Sequence, residues 1–138
     1  GVDRMFLAVL SHSYKVEQLE NGETRVVLGI PAPLAPVKVA VLPLINKDGL
    51  PEKAQEVMND LKYDFNCQYD PKDSIGKRYR RQDAIGTPFC VTVDHDSLND
   101  NCVTIRERDT MEQKRVPIAE LRTIIDKEVN MNNLLRKL

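Results

Sequence analysis

The side chains of this sequence that could do chemistry are suited to binding rather than to covalent catalysis. The one dense acidic group, Asp94-His95-Asp96, follows an apolar run, and α/β proteins place ligand-binding groups at the carboxyl ends of such strands. A metal site would need further ligands at defined spacing, which neither the two histidines nor the three cysteines complete. A small stand-alone α/β enzyme built on this loop would also need a nucleophile with its base, and the spacing provides none. The loop is therefore interpreted as a hydrogen-bonding site or an ordinary polar turn.

A second candidate is a cluster of four cations, Lys77, Arg78, Arg80 and Arg81, on a predicted helix. Arg78 and Arg81 are spaced i, i+3, which makes their side chains neighbours on the helix surface. Such a pair can contact the phosphates of RNA. A solvated helix surface with carboxylates nearby explains the same residues, so both interpretations stay open here.

The stretch 103–108 alternates in character, as is typical of a strand with two different faces. Its apolar residues point to a core, while Thr104, Arg106 and Arg108 share the opposite face. A sheet face with spaced arginines and a hydroxyl can contact the phosphates and splayed bases of single-stranded RNA. The two aspartates of the acidic loop can accept a hydrogen bond from the exocyclic amine of cytosine. A ladder of ion pairs would use the same residues, so RNA binding is one of two interpretations at this point.

Composition limits the classes of partner. The 138 residues carry 20 Lys and Arg against 21 Asp and Glu, and a net charge of −1 excludes a polycation that coats DNA or RNA by bulk charge. An apolar fraction of 41% is enough for a folded core. The longest uncharged stretch, 26–37, is far shorter than the roughly 18–20 apolar residues of a membrane span, so no membrane partner is expected. Three widely spaced cysteines indicate reduced thiols and a cytoplasmic location.

The elements that position these side chains follow from the periodicity of the apolar residues. Residues 2–10 show a helical stripe, 24–28 is a β-branched strand, and prolines 31, 33 and 36 predict a stiff, extended linker at a domain boundary. A continuous apolar run at 37–45 predicts a strand buried on both faces. The elements predicted after it are a helix after residue 51, a strand at 67–70, a helix at 74–86, a strand at 89–93, a hairpin of 103–108 with 113–116, and a helix from residue 117.

This order of elements predicts an α/β fold, with a mixed sheet of about five strands flanked by helices. The first three strands are expected to be parallel because helices join them, and the hairpin adds antiparallel pairing. Residues 1–32 are predicted to be the remnant of a preceding domain with its linker, and residues 33–138 to be the domain itself.

Two stretches, 35–44 and 74–88, resemble the C-terminal anticodon-binding domain of class II aminoacyl-tRNA synthetases, in the subgroup that serves glycine, histidine, proline and threonine. The acidic loop together with 104–115 is most similar to the homodimeric type that serves glycine. The resemblance covers residues 33–138 and implies the three-layer fold of that domain. It also implies that the domain holds the anticodon loop of a glycine tRNA, whose second and third anticodon bases are both cytosine.

The tRNA contacts that the resemblance implies are of three kinds. They are carboxylates for the cytosines, a hydroxyl and two arginines for other atoms of the loop, and two helix arginines for phosphates. The candidates for the cytosines are Asp94 and Asp96, and those for other atoms of the loop are Thr104, Arg106 and Arg108. The candidates for the phosphates are Arg78 and Arg81.

Residues 1–10 resemble the end of the third signature motif of class II catalytic domains, in which the arginine, here Arg4, contacts the triphosphate of ATP. The other two motifs do not occur in the sequence, so the chain by itself is expected to be inactive and to hold no cofactor. A full-length enzyme would use ATP with magnesium to attach glycine to its tRNA, and is expected to be a homodimer, whereas this chain is expected to be a monomer. The alternative is an accessory or regulatory protein that reuses the fold to bind RNA or a protein.

Overall fold

A five-stranded mixed sheet lies at the centre of the computed structural model, which describes residues 14–19, 22 and 24–129. The described strands are β1 (Tyr14–Gln18), β2 (Thr24–Leu28), β3 (Val39–Pro43), β4 (Cys67–Tyr69), β5 (Phe89–Val93), β6 (Cys102–Glu107) and β7 (Gln113–Pro117). The described helices are α1 (Leu50–Leu61), α2 (Ile75–Ile85), the single turn α3 (Ser97–Asp100) and α4 (Leu121–Val129), with 3-10 turns at Ala32–Leu34 and Ile118–Glu120.

The main sheet has the strand order β4-β3-β5-β6-β7. Strand β3 pairs in parallel with β4 and β5, because α1 and α2 carry the chain back between them. Strand β6 pairs antiparallel with β5 and with β7. The α/β class, the five strands and the change from parallel to antiparallel pairing confirm the sequence prediction.

Both faces of the central strands are covered, which gives the fold three layers. On one face, alternate residues such as Val39 and Val41 belong to a core that includes α1 and α4. On the other face, Ala40 and Leu42 pack against Tyr79 of α2. This double cover explains why β3 and β5 are apolar at every position except Thr92, since every residue of both strands is buried.

Helix α2, which carries the predicted cations, begins and ends where the sequence predicts. The hydroxyl of Ser74 accepts a hydrogen bond from the backbone N–H of Lys77, which caps the start of the helix. Gly86 ends the helix in the left-handed conformation, with φ +85°, and its N–H donates to the carbonyl of Asp83.

Replacing Gly86 by alanine is expected to lower the free energy of unfolding by about 1–2 kcal/mol, because an L-residue is strained in the left-handed conformation. The added Cβ would also lie only 3.1 Å from the backbone oxygen of Leu28 in β2. Gly76→Ala in the same helix is the control, since a Cβ there meets no atom within 4 Å and alanine favours the helix. Urea unfolding followed by circular dichroism measures both variants. Equal stability of Gly86→Ala and the wild type would contradict the prediction.

Strands β1 and β2 form a separate antiparallel hairpin that packs against α2. The sequence predicts β2 but not β1, because β1 is short and has only two apolar residues, Tyr14 and Val16, among polar ones. Arg25 and Val27 of β2 are each only 1% exposed. The hairpin precedes residue 32, where the sequence places the domain boundary, yet its contacts cross that boundary to reach α2.

Two predicted features cannot be compared with the structure. The helix at 2–10 and the terminal leucines 134, 135 and 138 lie outside the described residues. The one-turn helix α3 is an addition to the prediction, because four residues are too few to show a helical period. In the part of the chain that the structure describes, no helix is long and apolar enough to cross a membrane.

Candidate nucleic-acid interface

The predicted RNA contact Arg106 is buried beneath α2. Its guanidinium donates to both carboxylate oxygens of Asp83, at 2.9 and 3.1 Å, and lies 4.7 Å from the centre of the Tyr79 ring. Only 2% of Arg106 is exposed. The sequence suggested that this face of β6 is open to RNA, and that premise is wrong at Arg106 because α2 covers the sheet there. A direct contact of Arg106 with RNA stays a prediction, and its position gives it a supporting role.

Arg108, just beyond β6, is buried in a similar way and is 3% exposed. Its Nη1 donates to the carbonyl of Gly86 and its Nη2 to the carbonyl of Ile30, both at 2.8 Å. Its Nε also donates to the carboxylate of Asp109, at 3.0 Å. Arg108 thus joins the end of α2 to the proline-rich segment, and as an RNA contact it too stays a prediction.

A third buried arginine, Arg25 of β2, was not predicted. Its Nη1 donates to Asp83 at 3.2 Å and to the carbonyl of Arg108 at 2.6 Å, while its Nη2 donates to Glu17 at 2.6 Å. Burial lowers the pKa of Arg25, but the hydrogen bonds to Glu17 and Asp83 outweigh burial and hold the pKa above its ordinary value. The only sequence signal is a lone cation that alternation places on the same side of β2 as the buried Val27.

Arg78, predicted to contact phosphates, faces the interior and is 2% exposed. Its Nη1 donates to the carbonyls of Pro43 and Asp70, and its Nη2 donates to the carbonyl of Leu44 at 3.0 Å. Burial lowers the pKa of Arg78. The side chain therefore joins the carboxyl ends of β3 and β4, and its contact with phosphates stays a prediction that burial does not favour.

Arg81, three residues further along α2, is the exposed member of that pair. Its side chain is 40% exposed and forms ion pairs with Asp70 and with Asp73, the latter at 2.6 Å. The hydrogen bond to Asp70 raises the pKa of Arg81. Together with the exposed Lys77 and the partly exposed Arg80, Arg81 gives the outer surface of α2 three cations that solvent or a phosphate can reach.

The half of the sheet beyond α2 is formed by β6 and by the edge strand β7. In the register of the two strands, Thr104 pairs with Arg115 and Arg106 pairs with Gln113, so these four residues share one face. Thr104 is half-buried, while Gln113 and Arg115 are exposed. We name this surface, with the aspartates of the adjoining segment 94–100, the open face; its residues are Asp94, Asp96, Asp100, Thr104, Gln113 and Arg115.

Asp94 is held firmly at the end of β5. Its Oδ1 accepts hydrogen bonds from the backbone N–H and the hydroxyl of Ser97, both at 3.0 Å, and its Oδ2 accepts one from Nη1 of Arg115, also at 3.0 Å. Burial raises the pKa of Asp94, but the hydrogen bonds from Arg115 and Ser97 outweigh burial, so the pKa lies below its ordinary value. Asp94 is therefore an ionised acceptor in a fixed orientation at neutral pH.

Asp96 stands in contrast to Asp94, because its carboxylate is exposed. It accepts no hydrogen bond from any side chain or backbone group among the residues that the structure describes. His95, between the two aspartates, points elsewhere and lies with its Nε2 3.1 Å from Oδ2 of Asp48. Both oxygens of Asp96 are thus available to an incoming base.

Arg115 and Asp100 are members of the open face that the sequence did not single out. Arg115 donates to Oδ2 of Asp100 through Nη2, at 2.9 Å, and through Nε, at 3.3 Å. Hydrogen bonds to Asp94 and Asp100 raise the pKa of Arg115. The hydrogen bond from the backbone N–H of Cys102 is the main cause that holds the pKa of Asp100 below its ordinary value; burial opposes it, and the hydrogen bond from Arg115 adds to the lowering. Arg115 could have been found only from the hairpin register, which sets it beside Thr104.

The open face offers hydrogen-bonding groups for the edges of bases more than charge for phosphates. It combines three carboxylates with one guanidinium, so its local charge is negative. A phosphate would be better placed against the cations of α2. Among the described residues, no group of three His, Cys, Asp or Glu side chains could hold a metal ion.

The sequence of this chain matches a known protein family and is similar to curated proteins. The family model described as "Anticodon binding domain" matches residues 38–128. Two similar curated proteins are the glycine--tRNA ligases of Borrelia hermsii, 50% identical over 129 residues, and of Clostridium perfringens, 54% identical over 133 residues. Each match covers 94% of this chain but only 29% and 28% of the respective relative, so the chain spans less than a third of their length.

The similarity extends to solved structures at lower identity. A prolyl-tRNA synthetase from Cryptosporidium parvum, complexed with L-proline and AMP, superposes with a TM-score of 0.67 at 23% identity. The superposition covers 80% of this chain and 25% of the synthetase chain. At this identity the likeness shows the shared fold alone.

Proposed function

Because the chain belongs to the anticodon-binding domain family, we propose that it recognises the anticodon loop of a glycine tRNA. The match to the family model over residues 38–128, which contain the whole main sheet, is the observation that carries the proposal. Glycine as the amino acid is supported by the names of relatives that are 50% and 54% identical. A full-length protein would then be a glycine–tRNA ligase whose substrate is ATP in complex with magnesium. It would act as a homodimer in the cytoplasm. Arg4, which lies outside the described residues, would contact the triphosphate of ATP.

The open face is the surface proposed to meet the bases of the loop. Asp96 is unpartnered and exposed, Asp94 is an ionised acceptor, and Thr104 supplies a hydroxyl beside them. Carboxylates suit cytosine, because its exocyclic amine is a donor. Arg81 of α2 is proposed to meet phosphates, because its side chain is partly exposed, whereas the buried Arg106 supports the sheet from within.

An anticodon stem-loop of glycine tRNA is expected to bind this chain at least tenfold more tightly than the same stem-loop with both cytosines replaced by uracil. Each mismatched base costs on the order of 1–3 kcal/mol where a side chain reads it. Fluorescence anisotropy at two salt concentrations measures both affinities, because the contribution of phosphates is then separated from that of the bases. Equal affinity for the two RNAs would refute recognition of the anticodon.

Asp96→Asn tests the proposed surface within the same experiment, since it replaces an acceptor with a group that also donates. The expected result is weaker discrimination between the two stem-loops. Asp60→Asn is the matched control, because Asp60 is an exposed aspartate at the end of α1, away from the open face. Discrimination that is unchanged in Asp96→Asn would remove Asp96 from the interface.

A further inference from the structure

The side chains of Asp94 and Arg115 form an ion pair in which each partner keeps one hydrogen-bonding position unused. The two oxygens of a carboxylate have about four acceptor sites. Ser97 occupies Oδ1 of Asp94 through its N–H and its hydroxyl, whereas Oδ2 accepts only from Nη1 of Arg115. One acceptor site therefore remains on Oδ2.

The donors of Arg115 are distributed in a complementary way. Its Nε and Nη2 are directed to Asp100, and Nη2 is shared with Oδ1 of Asp94 and the carbonyl of Cys102. Its Nη1 donates only to Oδ2 of Asp94, although it carries two N–H groups. One N–H of Nη1 thus has no acceptor among the described residues. It sits beside the free acceptor site of Asp94, on atoms that are 3.0 Å apart.

A neighbouring acceptor and donor match the base-pairing edge of cytosine. That edge presents the N4 amine as a donor directly beside N3 as an acceptor. Uracil in the same position presents the reverse order, with O4 as an acceptor beside N3–H as a donor. We propose that the Asp94–Arg115 pair reads one anticodon cytosine, with Oδ2 of Asp94 accepting from N4 and Nη1 of Arg115 donating to N3. This inference rests on the proposed function of the domain and adds to it the residue that distinguishes cytosine from uracil.

The surroundings of the pair favour this role over a contact with phosphate. Arg115 is held by two carboxylates, so the group as a whole is negative and suits a neutral base. Its side chain is 35% exposed and that of Asp94 is 25% exposed, which leaves both within reach of a base. The second carboxylate, Asp100, fixes the guanidinium in place, so little ordering is required when the base binds. Asp100 is accordingly a positioning residue for Arg115.

The test is the ratio of affinities for stem-loops that differ by a single cytosine-to-uracil change at the second or third anticodon position. The wild type is expected to prefer cytosine about tenfold at the position that the pair reads, as is typical of a two-bond contact with a base. Arg115→Met is expected to reduce that ratio to below twofold and to leave the ratio at the other position unchanged. Arg115→Lys keeps the charge but not the paired N–H groups, so it is expected to restore little of the ratio.

Arg122→Met is the matched control, because Arg122 forms an exposed ion pair with Asp64 on the opposite side of the sheet. It should leave both ratios as in the wild type. Circular dichroism of each variant confirms that it is folded. If Arg115→Met keeps the wild-type ratio at both positions, the inference is wrong while anticodon recognition stands.

A second arm separates this inference from the proposed function. Cytidine 5′-monophosphate and its N4,N4-dimethyl derivative, which has no N4–H in any orientation, are titrated separately against the wild type, with the side-chain N–H resonances of Arg115 followed by NMR. Cytidine monophosphate is expected to shift them and the dimethyl derivative is not. If the wild type discriminates between the stem-loops but cytidine monophosphate leaves the Arg115 resonances unshifted, the inference is wrong and the proposed function stands. Equal shifts with the two nucleotides would overturn the inference.

Discussion

Replacing Asp83 by asparagine is expected to lower the free energy of unfolding by about 3–5 kcal/mol, the usual cost of breaking a buried ion pair from one side. Asp83 is fully buried and is the carboxylate that faces two buried guanidinium groups, those of Arg25 and Arg106. Asparagine has nearly the same shape but offers one acceptor oxygen and no charge. Arg106 would then lose the carboxylate that pairs with it among the described residues, and Arg25 would keep only its pair with Glu17.

The size of this effect is large in relation to the whole domain, because natural domains are stable by only about 5–15 kcal/mol. Urea unfolding measures the loss, and hydrogen exchange shows where it acts. Amide protons of β2 are expected to exchange faster in Asp83→Asn, because Arg25 ties that strand to α2. Asp73→Asn is the control, since Asp73 forms an exposed pair with Arg81 that is worth about 1 kcal/mol or less. A similar small loss for Asp83→Asn would show that the buried cluster does not stabilise the fold.

Replacing Arg78 by methionine is expected to cost about 3 kcal/mol or more, because it leaves three carbonyl oxygens without their donor and each such group costs about 1–3 kcal/mol when buried. Those carbonyls belong to Pro43, Leu44 and Asp70, at the ends of β3 and β4. Methionine fills much of the space of the arginine stem, so the loss reports the hydrogen bonds more than the packing.

Arg122→Met is the control for this second prediction, because it removes the same chemical group from an ion pair with Asp64 that is exposed on both sides. It is expected to change the free energy of unfolding by about 1 kcal/mol or less. The midpoint and slope of urea unfolding give both values. Nearly equal losses for the two variants would mean that Arg78 is not required for the ends of β3 and β4.

Much of the fold could be predicted because most of its helices and strands have a recognisable pattern in consecutive residues. Buried parallel strands need apolar residues on both sides, and the run that forms β3 is of that kind. Helix α2 is capped by Ser74 and ends at Gly86. Residues of these types are favoured at helix ends because the backbone groups there have no partner within the helix. Strand β1 was not predicted, since three of its five residues are polar and Val16, one of its two apolar residues, is exposed.

The candidate site was predicted less well, and for a single physical reason. The alternation of β6 indicates correctly which side chains share a face, but it carries no information about what lies above that face. Thr104 remains accessible, whereas Arg106 on the same face lies under α2. Arg115 becomes part of the surface only because the register of the hairpin places it beside Thr104.

By itself the sequence determined the α/β class, the order of the strands along the chain and the resemblance to anticodon-binding domains. These depend on periodicity and local motifs, which are written in consecutive residues. Only the tertiary structure decided which arginines face the solvent and which hold the fold together. Arg25, Arg78 and Arg106 are buried because their partners come from distant parts of the chain, and the desolvation of a cation is offset only when those partners meet it in space.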